Sequence, residues 1–299
     1  MPWESLRLFS LPGLERVDLS FIIVNYFNSR TLAESLDSIY KTVSGLKFEV
    51  MVVNNSRQDR ELPGIEANFP QARFIHNTHN VGFARANNQA ARMAVGTTLV
   101  FMNPDSVLTP GCMGEMFAYL QSHPEVGVLG PKVLNLDGSI QFSCRAFPTV
   151  WSGLFNRYSL LTRLFPNNRF SRQYLMTDFD HNEIRTVDWV SGCFMMIAKH
   201  VFQDVGEFDE NFFLFIEDID LCQAMKNKGY RVVYYPPATI FHHVTSSNGK
   251  TAAGTIIKRH RGMSYYNQKH RQGNVFSRSA ISILISLRCL SQLALNLFK

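Results

Sequence analysis

The chain has 299 residues, 45% hydrophobic and 18% charged, a balance that excludes a disordered or fibrous protein and leaves room for one or two globular domains. Its five cysteines, odd in number and without a C-x-x-C pair, argue against a disulfide framework or structural zinc and favour a reducing compartment. The net charge of +6 hides a split: residues 221–299 carry twelve Lys and Arg and no acid, against 18 basic and 24 acidic residues before them. Such a basic block suits phosphate or anionic lipid.

In chain order, residues 1–20 mix charges with prolines and lack the apolar stretch of a signal peptide. Leu19–Asn25 reads as a buried strand, Thr31–Glu34 has the spacing of a capping box, and Leu32, Leu36 and Ile39 recur at helical intervals. Strands follow at Phe48–Val53, Ala72–His76 and Thr98–Met102, with an Ala-rich helix to about Val95 and another helix over 110–122. This alternation predicts an α/β fold built on a doubly wound, mostly parallel sheet. From about Phe142 to Val187 the periodicity is lost, apart from a short basic amphipathic helix expected at Gly153–Phe165. Trp189–Ala198 reads as a strand, and an acidic-aromatic stretch leads into a helix from Leu221. Tyr230–Tyr235 is expected to end at Pro236-Pro237, with a separate short strand at Ile240–His243. Ala280–Phe298 places polar residues every third or fourth position and Arg288 mid-run. That predicts a helix lying in a membrane surface rather than crossing it, or one packed on the protein's own core.

The polar clusters fall at strand ends, where ligands bind in such sheets. Asn103-Pro-Asp105 offers two side-chain oxygens for a divalent cation, or is turn chemistry alone. Glu217 and Asp218 open a helix among Phe212, Phe213 and Phe215, a setting that caps the helix or raises a carboxylate's pKa toward a useful base. His242 and His243 are core histidines or ligands, and Arg259 and Arg261 are a solvated face or phosphate contacts.

Taken in order, Asn25-Tyr26, VVNNSRQD, NVGFARANN, NPD, WVSGCFMMI, GEFDENFFLFIEDIDLC and YYPPATIFHH resemble the family-2 glycosyltransferases of the glycosyltransferase A fold, near the bacterial rhamnosyltransferases of O-antigen and cell-wall assembly. The resemblance covers roughly residues 18–270. It implies a catalytic domain over 18–270 (a nucleotide-sugar half, 18–130, and an acceptor half, 131–270), between an N-terminal extension (1–17) and a basic membrane-associating tail (271–299). It implies Asp218 as base with Glu217 beside it, and Mg²⁺ or Mn²⁺ on Asn103, Asp105 and His243, or less firmly His242. Asn25, Tyr26, Asn54, Asp59, Arg85, Asn87, Trp189, Arg259 and Arg261 would meet substrate. Asn103 and Asn54 stand where many members carry Asp. The implied reaction is inverting transfer from a nucleotide sugar, dTDP-L-rhamnose by the family neighbours or a UDP-hexose or UDP-N-acetylhexosamine, to a polyprenyl-diphosphate-linked saccharide. It would run at the cytoplasmic face of a bacterial inner membrane on an anionic surface, without nucleic acid; a homodimer stays open. A non-catalytic nucleotide-sugar-binding scaffold is the alternative. A nucleotidylyltransferase is disfavoured, because Asn25–Arg30 lacks the glycine-rich phosphate loop.

Overall fold

A computed structural model describes residues 16–149, 164–165, 167–243, 252–270 and 275–297. Most of the N-terminal extension, nearly all of the helix expected at Gly153–Phe165, and Thr245–Ser247 lie outside the described residues. The chain begins β1 (Leu19–Asn25), α1 (Ser29–Thr42), β2 (Phe48–Asn54), α2 (Leu62–Asn68), β3 (Arg73–His76), α3 (Phe83–Met93), β4 (Thr98–Met102). Next come β5 (Ser106–Leu108), α4 (Cys112–Ser122), β6 (Val126–Leu134), β7 (Ile140–Gln141) and β8 (Cys144–Arg145). The rest is α5 (Arg169–Leu175), β9 (Arg185–Val187), β10 (Trp189–Val190), β11 (Phe194–Ala198), α6 (Lys199–Asp204), α7 (Glu217–Asn227), β12 (Arg231–His242), α8 (Ala253–His270) and α9 (Val275–Leu297).

The main sheet runs β3-β2-β1-β4-β11-β6-β12-β5, with β7 on β6 and β9 on β12; β8 and β10 pair separately. β3, β2, β1 and β4 are parallel, as are β6 and β12. β11 pairs antiparallel with both β4 and β6, so six strands run one way with β11 reversed between them. β1 is buried along its whole length, as a strand covered on both faces must be. Ile22, Val24, Met51 and Val53 pack under α3 and α7, while Phe21, Ile23, Val50 and Val52 pack under α1 and α4. The result is three layers, helices on either side of a twisted sheet.

Three local expectations are corrected. Trp189–Ala198 is not one strand: β10 ends at Val190 in the small sheet, and β11 starts at Phe194 in the main one. α1 starts at Ser29 with Asn28 as its N-cap, and Thr31 donates to Asn28 O at 3.1 Å from within the first turn, so Thr31-Glu34 forms no capping box. The prolines do not end a strand. β12 continues through Pro236-Pro237 with a register shift between Tyr235 and Thr239, an irregularity where missing N–H donors cost little.

Candidate active site

Three consecutive residues between β10 and β11 assemble the site. Ser191 N–H donates to Ser143 O at 2.7 Å. Gly192 N–H donates to Asp218 Oδ2 at 3.0 Å, and Cys193 O accepts from Asn103 N–H at 2.9 Å. Asp218, at the start of α7, is thus tied through adjacent residues to the Asn103-Pro-Asp105 turn after β4. The chain enters α7 through Phe215 and Ile216, both at positive φ (66° and 76°), a strained conformation for non-glycine residues that concentrates at working sites.

Asp218 is half-buried, and its Oδ1 accepts from Ile219 N–H at 2.9 Å. Burial pushes its carboxyl above the ordinary range, opposed by the Gly192 and Ile219 N–H groups and by the Arg145 charge. Burial and then the neighbouring Asp218 charge push Glu217 well above the usual carboxylate range. Its Oε2 has no hydrogen-bond partner among the described residues. Asp220 differs: Lys269 Nζ and His270 Nε2 sit 2.9 and 2.6 Å from its oxygens, so it anchors α8.

On the other side stand Asn103, Asp105 and His242. His242 Nε2 lies 3.1 Å from Asp105 Oδ1 and 3.4 Å from Asn103 Nδ2. Asp105 Oδ1 is buried yet accepts no hydrogen bond, so the short approach to the imidazole is not a well-aligned one. His243 turns elsewhere: its N–H donates to Asp105 O at 2.8 Å, and its ring stands 3.7 Å from Glu34. No group of three or more His, Cys, Asp or Glu forms a self-sufficient metal cluster among the described residues. One carboxylate, one imidazole and one amide nevertheless fit a divalent cation that takes its remaining oxygens from a diphosphate and water. The unbonded Asp105 Oδ1 facing Nε2 is the observation that favours the fit.

At the ends of β1 and β2, Asn25 and Ser29 donate to Asp59 Oδ2 at 3.2 and 2.6 Å. Asn54 is locked against Ser56, donating to its O and accepting from its N–H, each at 3.0 Å. Tyr26 and Phe27 are 49% and 53% exposed and pack edge to face, beside a cavity of about 460 Å³ lined by Phe27, Ser29, Arg30, Asp59 and Arg60.

Other expected substrate residues are engaged within the protein. Arg85 pairs with Glu210 at 2.9 Å, and Asn87 donates to Phe83 O inside α3. Trp189 is buried, with Nε1 donating to Ala146 O at 2.8 Å. Arg259 lies over the Phe215 ring at 4.4 Å, while Arg261 is exposed.

Two residues escaped the sequence reading. Arg145, opposite Trp189 in the β8–β10 pair, stands over the Trp189 and Tyr174 rings at 5.1 and 5.8 Å and places its charge near Asp218. Gln141 reaches His242 from β7. Arg145 lies where periodicity fails and Gln141 just before it, so only their polar character within an otherwise unassigned run could have marked them.

Solved structures share this architecture. The chain superimposes on GalNAc-T7 with UDP, GalNAc and Mn²⁺ at TM-score 0.61 and 13% identity, covering 92% of this chain and 55% of that one. It superimposes on the mannosyltransferase PcManGT from Pyrobaculum calidifontis, in complex with GDP-Man and Mn²⁺, at 0.58 and 19% identity, covering 95% and 74%. In sequence it is 28% identical over 223 residues to the N-acetylglucosaminyl-diphospho-decaprenol L-rhamnosyltransferase of Mycobacterium tuberculosis, covering 71% of this chain and 72% of that protein. It is 37% identical over 178 residues to the rhamnosyltransferase WbbL of Escherichia coli K12, covering 56% and 62%. Residues 16–264 match the family described as Glycosyltransferase like family 2. With the match spanning sheet and site alike, the chain belongs to that glycosyltransferase family.

Proposed function

We propose that the chain is an inverting, metal-dependent glycosyltransferase that moves L-rhamnose from dTDP-L-rhamnose to a hydroxyl of a polyprenyl-diphosphate-linked saccharide. The observation that carries this reading is the coupling of Asp218 to the Asn103–Asp105 turn through Gly192 and Cys193. A base at Asp218 and a diphosphate site at the Asn103–Asp105 turn would thereby be held at a fixed separation. The sugar and the acceptor follow the names of two relatives, both rhamnosyltransferases, one of which names a diphospho-decaprenol acceptor; the dTDP carrier follows the family resemblance alone.

Asp218 would accept the acceptor hydroxyl's proton as that oxygen bonds to the sugar's anomeric carbon. The bond from that carbon to the donor phosphate breaks on the opposite face, its electron pair leaving with the nucleoside diphosphate, so one displacement inverts the centre. A cation held by Asp105, His242 and Asn103 would neutralise the charge gathering on the leaving diphosphate. Residues 18–130 would bind the nucleotide sugar, with Tyr26, Phe27 and Asp59 at the nucleoside. Residues 131–270 would bind the acceptor, and α9 would hold the enzyme at the cytoplasmic face of the inner membrane.

A thermal-shift panel of dTDP, UDP and GDP with Mn²⁺ tests donor and metal together, because a ligand specific to the folded state raises Tm with its concentration. The expected result is the largest rise with dTDP, abolished by EDTA, and a matching loss of turnover in chelator. Full turnover in EDTA would overturn the metal, and no response to any nucleotide would overturn the enzyme reading.

A further inference from the structure

The amide of Gln141 bonds His242 twice. Its Nε2 donates to His242 O at 2.6 Å and its Oε1 stands 3.0 Å from His242 Nδ1. The orientation of this amide follows from chemistry. A backbone carbonyl only accepts, so the –NH₂ end must face it and the Oε1 end must face the ring. Facing an acceptor, Nδ1 has to carry hydrogen, and a neutral ring then presents a bare lone pair at Nε2. Nε2 lies 3.1 Å from Asp105 Oδ1, which accepts no hydrogen bond of its own, and 3.4 Å from Asn103 Nδ2. The imidazole nitrogen, the unbonded carboxylate oxygen and the Asn103 amide thus converge on one point, where a divalent cation would find ligands.

We infer that Gln141 is a positioning residue: by bonding both the backbone carbonyl and Nδ1 of His242, it selects the tautomer and ring orientation that direct Nε2, together with Asp105, onto a divalent cation. The inference rests on the metal reading above and adds the residue that makes the histidine a competent ligand. Gln141 reaches no reacting atom. Its strand, β7, has two residues and pairs with Leu134 and Val133 of β6, so the amide is carried by the main sheet and not by a free loop. β12, which bears His242, pairs with the same stretch of β6. Gln141 and His242 are therefore held in register through a shared neighbour, which keeps the cost of ordering the side chain low.

The test is Mn²⁺ binding followed by electron paramagnetic resonance, on the full chain, with Mn²⁺ alone and with the nucleoside diphosphate that most stabilises the wild type. Removing such an outer partner of a metal-bound histidine typically lowers affinity about 10- to 100-fold. Q141A should show a loss in that range with an unchanged far-ultraviolet spectrum and Tm near wild type. Q141E restores an acceptor for Nδ1 and should recover most of the affinity, although it cannot donate to His242 O. The coupling of an imidazole nitrogen to Mn²⁺ should be present in wild type, weakened in Q141A and absent in H242A. Wild-type affinity in Q141A, or equal losses in Q141A and Q141E, would overturn the role of Gln141 while leaving the metal site standing. If the wild type takes up no Mn²⁺ under either condition, the metal reading itself falls and this inference goes with it.

Discussion

Glu217 and Asp218 are adjacent in the chain but differ in what meets their oxygens: two backbone N–H groups satisfy Asp218, and nothing among the described residues meets Glu217 Oε2. The proposed base, Asp218, must be ionised to act, so turnover should fall as pH drops through its raised pKa. D218N should keep nucleotide binding and lose at least about 10²-fold in turnover; near-normal turnover would remove Asp218 from the role. Asp220 cannot replace it, being held by Lys269 and His270. Arg145 favours the charged form of Asp218, so R145Q should move the acid limb of the kcat/KM profile to higher pH, and an unmoved limb would place that charge elsewhere. Glu217 obeys the opposite stability rule from a salt-bridged acid. Its folded pKa lies above the unfolded value of about 4.3, so the folded state binds the extra proton. Its contribution to stability is then intact below that value and is lost as pH rises through the folded pKa. E217Q should therefore raise Tm at pH 8 by calorimetry, with the gap closing toward pH 4; a gap independent of pH would refute the buried, ionisable Glu217.

The N-terminal turn of α3 is fastened to the loop before α7. Gly82 has φ +93°, and a Cβ there would lie 2.7 Å from Phe213 O, which also accepts from Phe83 N–H at 2.8 Å. Asn88 closes the clasp by donating to Phe208 O at 2.8 Å and accepting from Phe208 N–H at 3.1 Å. The N-x-G-F-A-x-A-x-N run is thus the fastening for the loop that delivers Asp218. G82A should cost about 1–3 kcal/mol through backbone strain, and turnover should fall with it because the loop is displaced. Denaturant unfolding and initial rates measure the two together; wild-type stability would contradict the clasp. Elements of this kind differ in how far sequence reveals them. Buried runs such as Phe21–Val24 declare a strand by composition, and the polar clusters after β1, β2 and β4 declared the site's edge. β7 and β8 have two residues each, too short for any period to register, so Gln141 and Arg145 were illegible although they reach the two halves of the site. The partners of Arg85 and Asp220 lie 125 and about fifty residues away in the chain, a separation at which local pattern carries no information.

At the scale of the whole molecule, α9 leaves large apolar side chains outward while several of its polar ones lie against the protein. Its protein-facing side includes Ser282, Arg288, Gln292 and Asn296, with Ser282 Oγ 3.4 Å from Ser264 of α8. Its outward side carries Ile283, Leu287 and Leu290, 60%, 57% and 63% exposed. Ile281, Ile285 and Leu293 are half-buried on the protein side, so the helix packs on α8 with one face and leaves Ile283, Leu287 and Leu290 outward. By length and composition Ser279–Leu297 could also cross a membrane, but a spanning helix would leave the polar contacts with α8. The energetics favour apolar insertion over charge. Burying one Leu or Ile contributes about 1.5–3 kcal/mol, against about 1 kcal/mol for a basic residue near an anionic surface. Several basic residues are also engaged: Lys269 pairs with Asp209 and Asp220, and Lys258 and Arg259 lie over Phe213 and Phe215. The full chain should therefore sediment with vesicles of anionic lipid, and raised salt should weaken this only in part. Replacing Ile283, Leu287 and Leu290 together by serine should abolish sedimentation while Tm and turnover on a short soluble acceptor stay near wild type. If that variant unfolds instead, or if the wild type ignores vesicles at low salt, the outward face of α9 meets protein and the enzyme finds its lipid acceptor by another surface.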